Sequence, residues 1–203
     1  KDAHMTRSRS LGLALLLTSS LLAPAMVAGH DTSSVISTGG VKGDMMMWFA
    51  DAENKLNQLA EAVPESKYSW RPGKDVRSVG EVFMHVAGSN FGIPSFMGVK
   101  PPEGFDFATF EKSKTKKADI QKALKDSFVH MKEAFAHTPD EDMEKQVELF
   151  GMKMTERGAY LLLLSHVHEH LGQSIAYARS NGVTPPWSAK QQAQMPEGEK
   201  TKK

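Results

Sequence analysis

Residues 161–182, LLLLSHVHEHLGQSIAYARSNG, constrain the fold more than any other part of the chain. The segment begins as an apolar run, carries three alternating histidines and ends in an Asn-Gly pair, a common way for a helix to stop in the left-handed conformation. We therefore predict one long helix. At about 100° per residue, His166 and His170 lie on one stripe of this helix, whereas His168 points almost the opposite way.

Three further segments have apolar residues at helical spacing and are predicted to be helices: 40–62, 78–92 and 117–137. Ser78 and Glu81 match a capping box at the start of the second helix, and Thr155 can cap the fourth. Residues 147–152 suit a small extended or hairpin-like connection. Trp70 is expected to anchor the preceding Pro- and Gly-rich loop. With no convincing run of strands, the predicted fold class is all-α, an antiparallel four-helix bundle.

Composition narrows the possible functions. Lys plus Arg number 25 against 24 Asp plus Glu, scattered along the chain, which argues against a nucleic-acid partner. The chain has no cysteine, so disulfides, a thiol nucleophile and thiolate metal sites are excluded. Any bound metal must therefore be held by His, carboxylate or water.

The amino end has the pattern of a targeting segment. Residues 1–4, ahead of Met5, are interpreted as an expression-tag remnant, and residues 5–29 as a signal peptide, because two arginines precede the apolar stretch 11–22 and small residues follow it. The alternative is a retained membrane anchor, for which the apolar run is shorter than an ordinary spanning helix. We predict an exported protein, periplasmic or extracellular, with no stable membrane insertion after signal removal.

The rest of the chain is expected to form one domain, since 203 residues suffice for a single hydrophobic core. Residues 30–40 are rich in Ser, Thr and Gly and are predicted to be a flexible leader. The bundle is placed at 41–188. The polar residues 189–203 are predicted to be a disordered tail.

The chain has eight histidines, and their positions in the predicted helices distinguish possible metal ligands from surface residues. His85 lies in an apolar part of the second helix, and with His166 and His170 it would bring three imidazoles from two helices to one interior. Such a three-ligand site leaves open positions for water or substrate, as catalytic zinc sites do. The alternative is that these histidines satisfy hydrogen bonds in the core. His130 and His137 have no partner at helical spacing and are expected on the surface.

Two more side chains on the long helix are candidates for supporting roles. Gln173 lies along the ligand stripe, where its amide could hydrogen-bond to bound water or substrate, or make a helix contact. Glu169 lies about 60° from the His166 direction, given about 100° per residue. It could orient a ligand or act as a base, but a solvated flank is preferred. No residue is assigned a catalytic role.

Several motifs together resemble the DinB family: WRP at 70–72, RSVGE at 77–81 leading into HVA at 85–87, HVHEHLGQ at 166–173 and NGVTPP at 181–186. The resemblance covers about residues 41–188. It implies a four-helix bundle, commonly a homodimer, that binds a divalent metal such as nickel or zinc through three histidines. By resemblance these are His85, His166 and His170.

The resemblance also suggests activities. The wider superfamily includes thiol-dependent S-transferases and a mycothiol-dependent maleylpyruvate isomerase, but low-molecular-weight thiols are chiefly cytosolic, which conflicts with a secretory signal. Our first hypothesis is a metal-dependent hydrolase or transferase of unknown substrate. The second is a non-catalytic metal- or ligand-binding envelope protein, and the third a bundle that needs no metal.

Overall fold

Four long helices form the frame of the molecule, which we describe from a computed structural model over residues 39–195. In chain order the elements are α1 Gly40–Ala62, α2 Val79–Gly92, α3 Lys117–His137, β1 Gln146–Leu149, β2 Met152–Thr155, α4 Glu156–Ser180 and α5 Pro186–Gln194. Short 3-10 turns lie in the connections, at Glu65–Lys67, Ile93–Met97, Phe110–Lys112 and Asp140–Glu144. Among residues 39–195 no helix is both long and apolar enough to cross a membrane.

The hydrophobic core lies between the four long helices, because each presents an apolar stripe to its neighbours. α2 packs on α3, and α1 packs on α4. Each long helix contributes at least one large aromatic side chain that is at most 1% exposed: Phe49, Phe83, Phe128 and Tyr160. The predicted all-α four-helix bundle is confirmed.

The start of α2 is fixed by the predicted capping box. The Ser78 side chain accepts a hydrogen bond from the Glu81 backbone N–H at 3.3 Å, and the Ser78 N–H donates to the Glu81 carboxylate at 2.7 Å. Arg71 lies 3.2 Å from the same carboxylate. The Ser78 N–H bond and the Arg71 guanidinium lower the pKa of Glu81 despite its partial burial. Because two backbone N–H groups are satisfied here, α2 begins at a defined residue.

The predicted hairpin-like connection is also present. β1 and β2 pair antiparallel from Gln146 opposite Thr155 to Leu149 opposite Met152. Phe150 and Gly151 form the turn with φ of 52° and 79°, the left-handed pair that a two-residue hairpin requires. Thr155 then caps α4, its hydroxyl accepting from the Gly158 N–H at 3.0 Å. The hairpin is therefore followed directly by α4, the helix that carries His166 and His170.

Two predictions need correction. The tail predicted as disordered from residue 189 is wrong over its first part, because α5 continues to Gln194 and packs on α1. Pro186 at the first turn is compatible with a helix start, and Trp187 packs against the core. His130 was expected on the surface, but it is partly buried, with its ring 5.5 Å from that of Phe91.

The predicted signal peptide lies outside the described residues, as do most of the predicted leader and residues 196–203 of the predicted tail.

Candidate metal centre

Three imidazole rings meet between α2 and α4. His85 comes from α2, and His166 and His170 come from successive turns of α4. The ring centroids lie 4.9 Å apart for His85 and His166, 4.7 Å for His85 and His170, and 4.5 Å for the pair on α4. One ring nitrogen from each residue lies within 4.8 Å of the others. Spacing of four residues on one helix places two ligands on the same face.

Hydrogen bonds orient two of the rings. Nδ1 of His85 lies 2.9 Å from a carboxylate oxygen of Glu111, and Nδ1 of His170 lies 2.7 Å from the amide oxygen of Gln173. Both oxygens are acceptors, so each Nδ1 carries the proton and each Nε2 keeps its lone pair. Metal-binding histidines are typically held this way, with the second nitrogen donating to a carboxylate or carbonyl.

These partners are themselves fixed. The Nε–H of Arg77 donates to the other carboxylate oxygen of Glu111 at 2.9 Å. The Gln173 amide N–H donates to the Tyr177 hydroxyl at 3.0 Å, which makes the amide oxygen the group that faces the histidine. The Tyr177 ring packs edge-on against Trp70, 5.3 Å between centroids. The predicted anchoring role of Trp70 is confirmed. The loop that carries Trp70 also supports the site, because Trp70 contacts Tyr177, the partner of Gln173.

His166 has a different partner. Its Nε2 lies 2.9 Å from the hydroxyl of Ser89, which is only 3% exposed and lies one turn after His85 on α2. The hydroxyl can act as donor or acceptor in this bond. Ser89 therefore holds the third ring toward the other two.

The electrostatics of the cluster favour neutral rings. Burial, followed by the neighbouring His170, His85 and Arg77, lowers the pKa of His166 to about 4. Burial and the charge of Arg77 also lower the pKa of His85, although Glu111 acts in the opposite direction. Both imidazoles are therefore uncharged at neutral pH, which is the form that binds a metal ion.

The donor set fits a divalent metal. Three neutral imidazoles suit zinc or nickel, and three protein ligands leave at least one position open. Nitrogens that share one zinc ion at about 2.0–2.1 Å are separated by roughly 3.4 Å in a tetrahedral site. A small closure of the rings from their spacing of up to 4.8 Å would therefore be enough. The three histidines could thus hold one divalent ion.

Of the remaining polar residues on this part of α4, Gln173 contacts the histidine cluster, whereas Glu169 and His168 do not. Gln173 contacts His170 directly, in the position predicted along the ligand stripe. Glu169 is exposed on α4. His168 lies on the far side of the helix, its ring edge against Trp48 at 6.2 Å between centroids.

Sequence reasoning missed two partners of the histidines. Ser89 follows His85 at helical spacing, and this signal could have identified it. Glu111 lies 26 residues from His85, in the 3-10 turn before α3, and no periodicity connects the two. Glu81 also lies one turn from His85, but its carboxylate accepts from the Ser78 N–H and pairs with Arg71.

Comparisons with known proteins agree with this description. The model of the DinB superfamily matches residues 49–174. YjoA, an uncharacterised protein of Bacillus subtilis, is 25% identical over 139 residues, which cover 67% of this chain and 88% of YjoA. Its solved structure aligns with a TM-score of 0.56 at 22% identity, over 70% of this chain and 93% of YjoA.

Two further solved structures share the architecture. A DinB-like protein from Bacillus cereus aligns with a TM-score of 0.63 at 18% identity, over 72% of this chain and 95% of its own. YfiT from Bacillus subtilis, a probable metal-dependent hydrolase with an unusual four-helix bundle topology, aligns with a TM-score of 0.58 at 15% identity, over 70% and 89%. At these identities the likeness shows the fold alone.

The family match covers more than half of the chain, and a four-helix bundle with three converging histidines accompanies it. The protein belongs to the DinB superfamily.

Proposed function

We propose that the protein is a metal-dependent hydrolase in which His85, His166 and His170 bind one divalent ion, zinc or nickel. The observation that carries the proposal is the convergence of three imidazoles, two of them held through Nδ1 by Glu111 and Gln173. The similarity of fold to YfiT, a probable metal-dependent hydrolase, supports the reaction type. The substrate is an unidentified small molecule.

Solvent access favours catalysis over a closed structural site. The His85 side chain is 20% exposed, and His166 is also only partly buried. When bound, a divalent ion would supply Lewis-acid activation of a water or of a substrate oxygen. The protein's part is to hold the three rings in position, through Glu111 for His85 and through Gln173 for His170.

The first experiment is elemental analysis of the protein purified without a histidine tag, after exposure to zinc or nickel. The wild type is expected to hold about one ion per chain, and His166→Ala close to none, because the remaining two ligands bind weakly. His168→Ala is the matched control, since it removes a histidine from the same helix outside the cluster, and it should bind like wild type. Metal-free wild type, or equal loss in both variants, would contradict the proposal.

Hydrolysis is tested separately with a panel of chromogenic carboxylic and phosphoric esters. Turnover should disappear with a chelator, return with zinc, and be absent in His166→Ala. A protein with full metal content that hydrolyses none of the panel would instead support a non-catalytic metal-binding role.

We also propose that the protein is exported, on the basis of the signal-like residues 5–29. Amino-terminal sequencing of the protein from a cell-envelope fraction tests this. A mature start near Met26 or His30 is expected, whereas an intact amino end in the cytosolic fraction would refute export.

A further inference from the structure

A polar pocket of about 610 Å³ lies beside the metal centre. Its wall includes Glu111 and Gln173, the two groups that orient His85 and His170. The other residues that line it are Arg71, Asp75, Val76, Arg77, Glu81 and Lys112. We call this space the anion pocket.

Among residues 39–195, the two arginines of the anion pocket have hydrogen-bond donors without an acceptor. Arg77 binds Glu111 through Nε, which leaves both of its Nη groups for another acceptor. Arg71 makes its contacts to the Val76 carbonyl and to Glu81 through a single Nη. Both side chains remain open to solvent, at 41% exposed for Arg71 and 40% for Arg77. A planar acceptor entering the pocket could therefore be bound by guanidinium groups already in place.

Lys112 is the third cation that lines the pocket. Lys112 is exposed and, within residues 39–195, forms no salt bridge, whereas Glu81 and Glu111 are both paired with arginine. Its ammonium group is therefore available to an incoming ligand, and the paired acids compete less for it.

The net charge of the pocket depends on the metal. Its lining holds three cationic and three acidic side chains, whose formal charges cancel. The three imidazoles are neutral ligands, so the charge of a bound divalent ion, +2, is not compensated by the site. The loaded pocket is therefore positive, and a positive concave surface attracts anions.

We propose that the anion pocket binds an oxyanion group of the substrate, a carboxylate or a phosphate. The inference rests on the proposed function, because the metal ion supplies the net positive charge. Guanidinium groups bind the oxygens of either anion in paired, charge-assisted hydrogen bonds, and Lys112 adds a point charge. The pocket thus fixes one end of an anionic substrate next to the metal centre.

The test is calorimetric titration of zinc-loaded and metal-free protein with inorganic phosphate and, separately, with acetate. At least one anion is expected to bind the loaded wild type, and less tightly the metal-free form. Lys112→Glu and Arg71→Gln should each weaken binding about tenfold, because each removes a charge-assisted contact to the anion. Lys125→Glu makes the same charge change at an exposed site on α3 outside the pocket and should change affinity less than about twofold.

The outcomes separate the hypotheses. Binding of phosphate alone indicates a phosphate group, and binding of acetate alone a carboxylate. If neither anion binds protein that has taken up zinc, the anion pocket is refuted while the proposed metal site stands. Wild-type affinity in Lys112→Glu or in Arg71→Gln, or an equal loss in Lys125→Glu, also refutes it. A chain that takes up neither zinc nor nickel overturns both proposals.

Discussion

At the scale of single residues, the bond between Glu111 and His85 is the contact on which the state of the site depends most. The carboxylate accepts the Nδ1 proton, so the Nε2 lone pair of His85 is directed to the other two rings. Arg77 donates to the second carboxylate oxygen and so holds Glu111 in place. The loop before α3 therefore takes part in the metal centre, although it supplies no ligand.

Glu111→Gln is expected to weaken zinc binding about 10- to 100-fold, the usual effect of removing a charged partner of a ligating histidine. Competition with a chromogenic chelator measures the affinity. Glu103→Gln makes the same change at an exposed loop position and should leave the affinity unaltered. Equal affinities for Glu111→Gln and wild type would show that Glu111 has no part in orienting His85.

The sequence revealed the histidines more readily than their partners, for a physical reason. His166, His170 and Gln173 share one helix, so their common face follows from the helical repeat alone. Glu111 reaches His85 from a separate loop, and only the packing of that loop on α2 brings them together. His130 was misplaced for a related reason, since Phe91 of α2 covers a position that α3 alone would leave exposed.

At the scale of secondary structure, the first turn of α2 links stability to pH. Glu81 closes the capping box and contacts Arg71, and its folded-state pKa lies below the unfolded value. Its charge therefore contributes stability in full above the unfolded pKa, and the contribution is lost as the pH falls through the folded pKa.

Glu81→Gln is expected to lower the free energy of unfolding at pH 7 by roughly 0.5–1 kcal/mol, because the amide can still cap the helix but carries no charge. The difference from wild type should close as the pH falls below the ordinary pKa of Glu, about 4.3, and through the lower folded-state pKa. Urea denaturation at several pH values measures it. Glu169→Gln makes the same change at an exposed position on α4, outside any helix cap, and should lower the free energy of unfolding by less. A difference between Glu81→Gln and wild type that stays constant with pH would rule out this charge effect.

The long helices and the hairpin could be predicted from sequence because their signals are local. Apolar spacing and the Ser78–Glu81 pair mark α2, and a two-residue turn between short apolar strands marks the hairpin. α5 was missed because its residues are polar and its stability comes from Trp187 packing on the core. Such a contact depends on the tertiary fold and leaves no periodic pattern in so short a segment.

At the scale of the whole molecule, the candidate metal centre lies between α2 and α4, so a bound ion would link the two helices. An ion that binds only the folded chain stabilises it by mass action, by about 2.7 kcal/mol when its free concentration is 100 times Kd. Zinc at that excess should raise Tm by roughly 5–10 °C over chelator-treated protein, given about 2–4 °C per kcal/mol at this size. Differential scanning calorimetry tests this. His166→Ala should show no such rise in Tm. An equal rise in wild type and in His166→Ala would indicate that zinc binds somewhere other than the three histidines.

The contact between Trp70 and Tyr177 has an optical consequence. Tyr177 contacts Gln173, and Gln173 contacts His170, so the indole lies three contacts from a candidate metal ligand. Indole emission responds to small changes in its surroundings, and any tightening of the imidazoles would be passed along this chain of contacts to the tryptophan. Trp48 and Trp187 also emit, so a chain with both replaced by Phe would report on Trp70 alone. We expect zinc uptake to change the fluorescence of that variant, which would follow the titration without an attached dye.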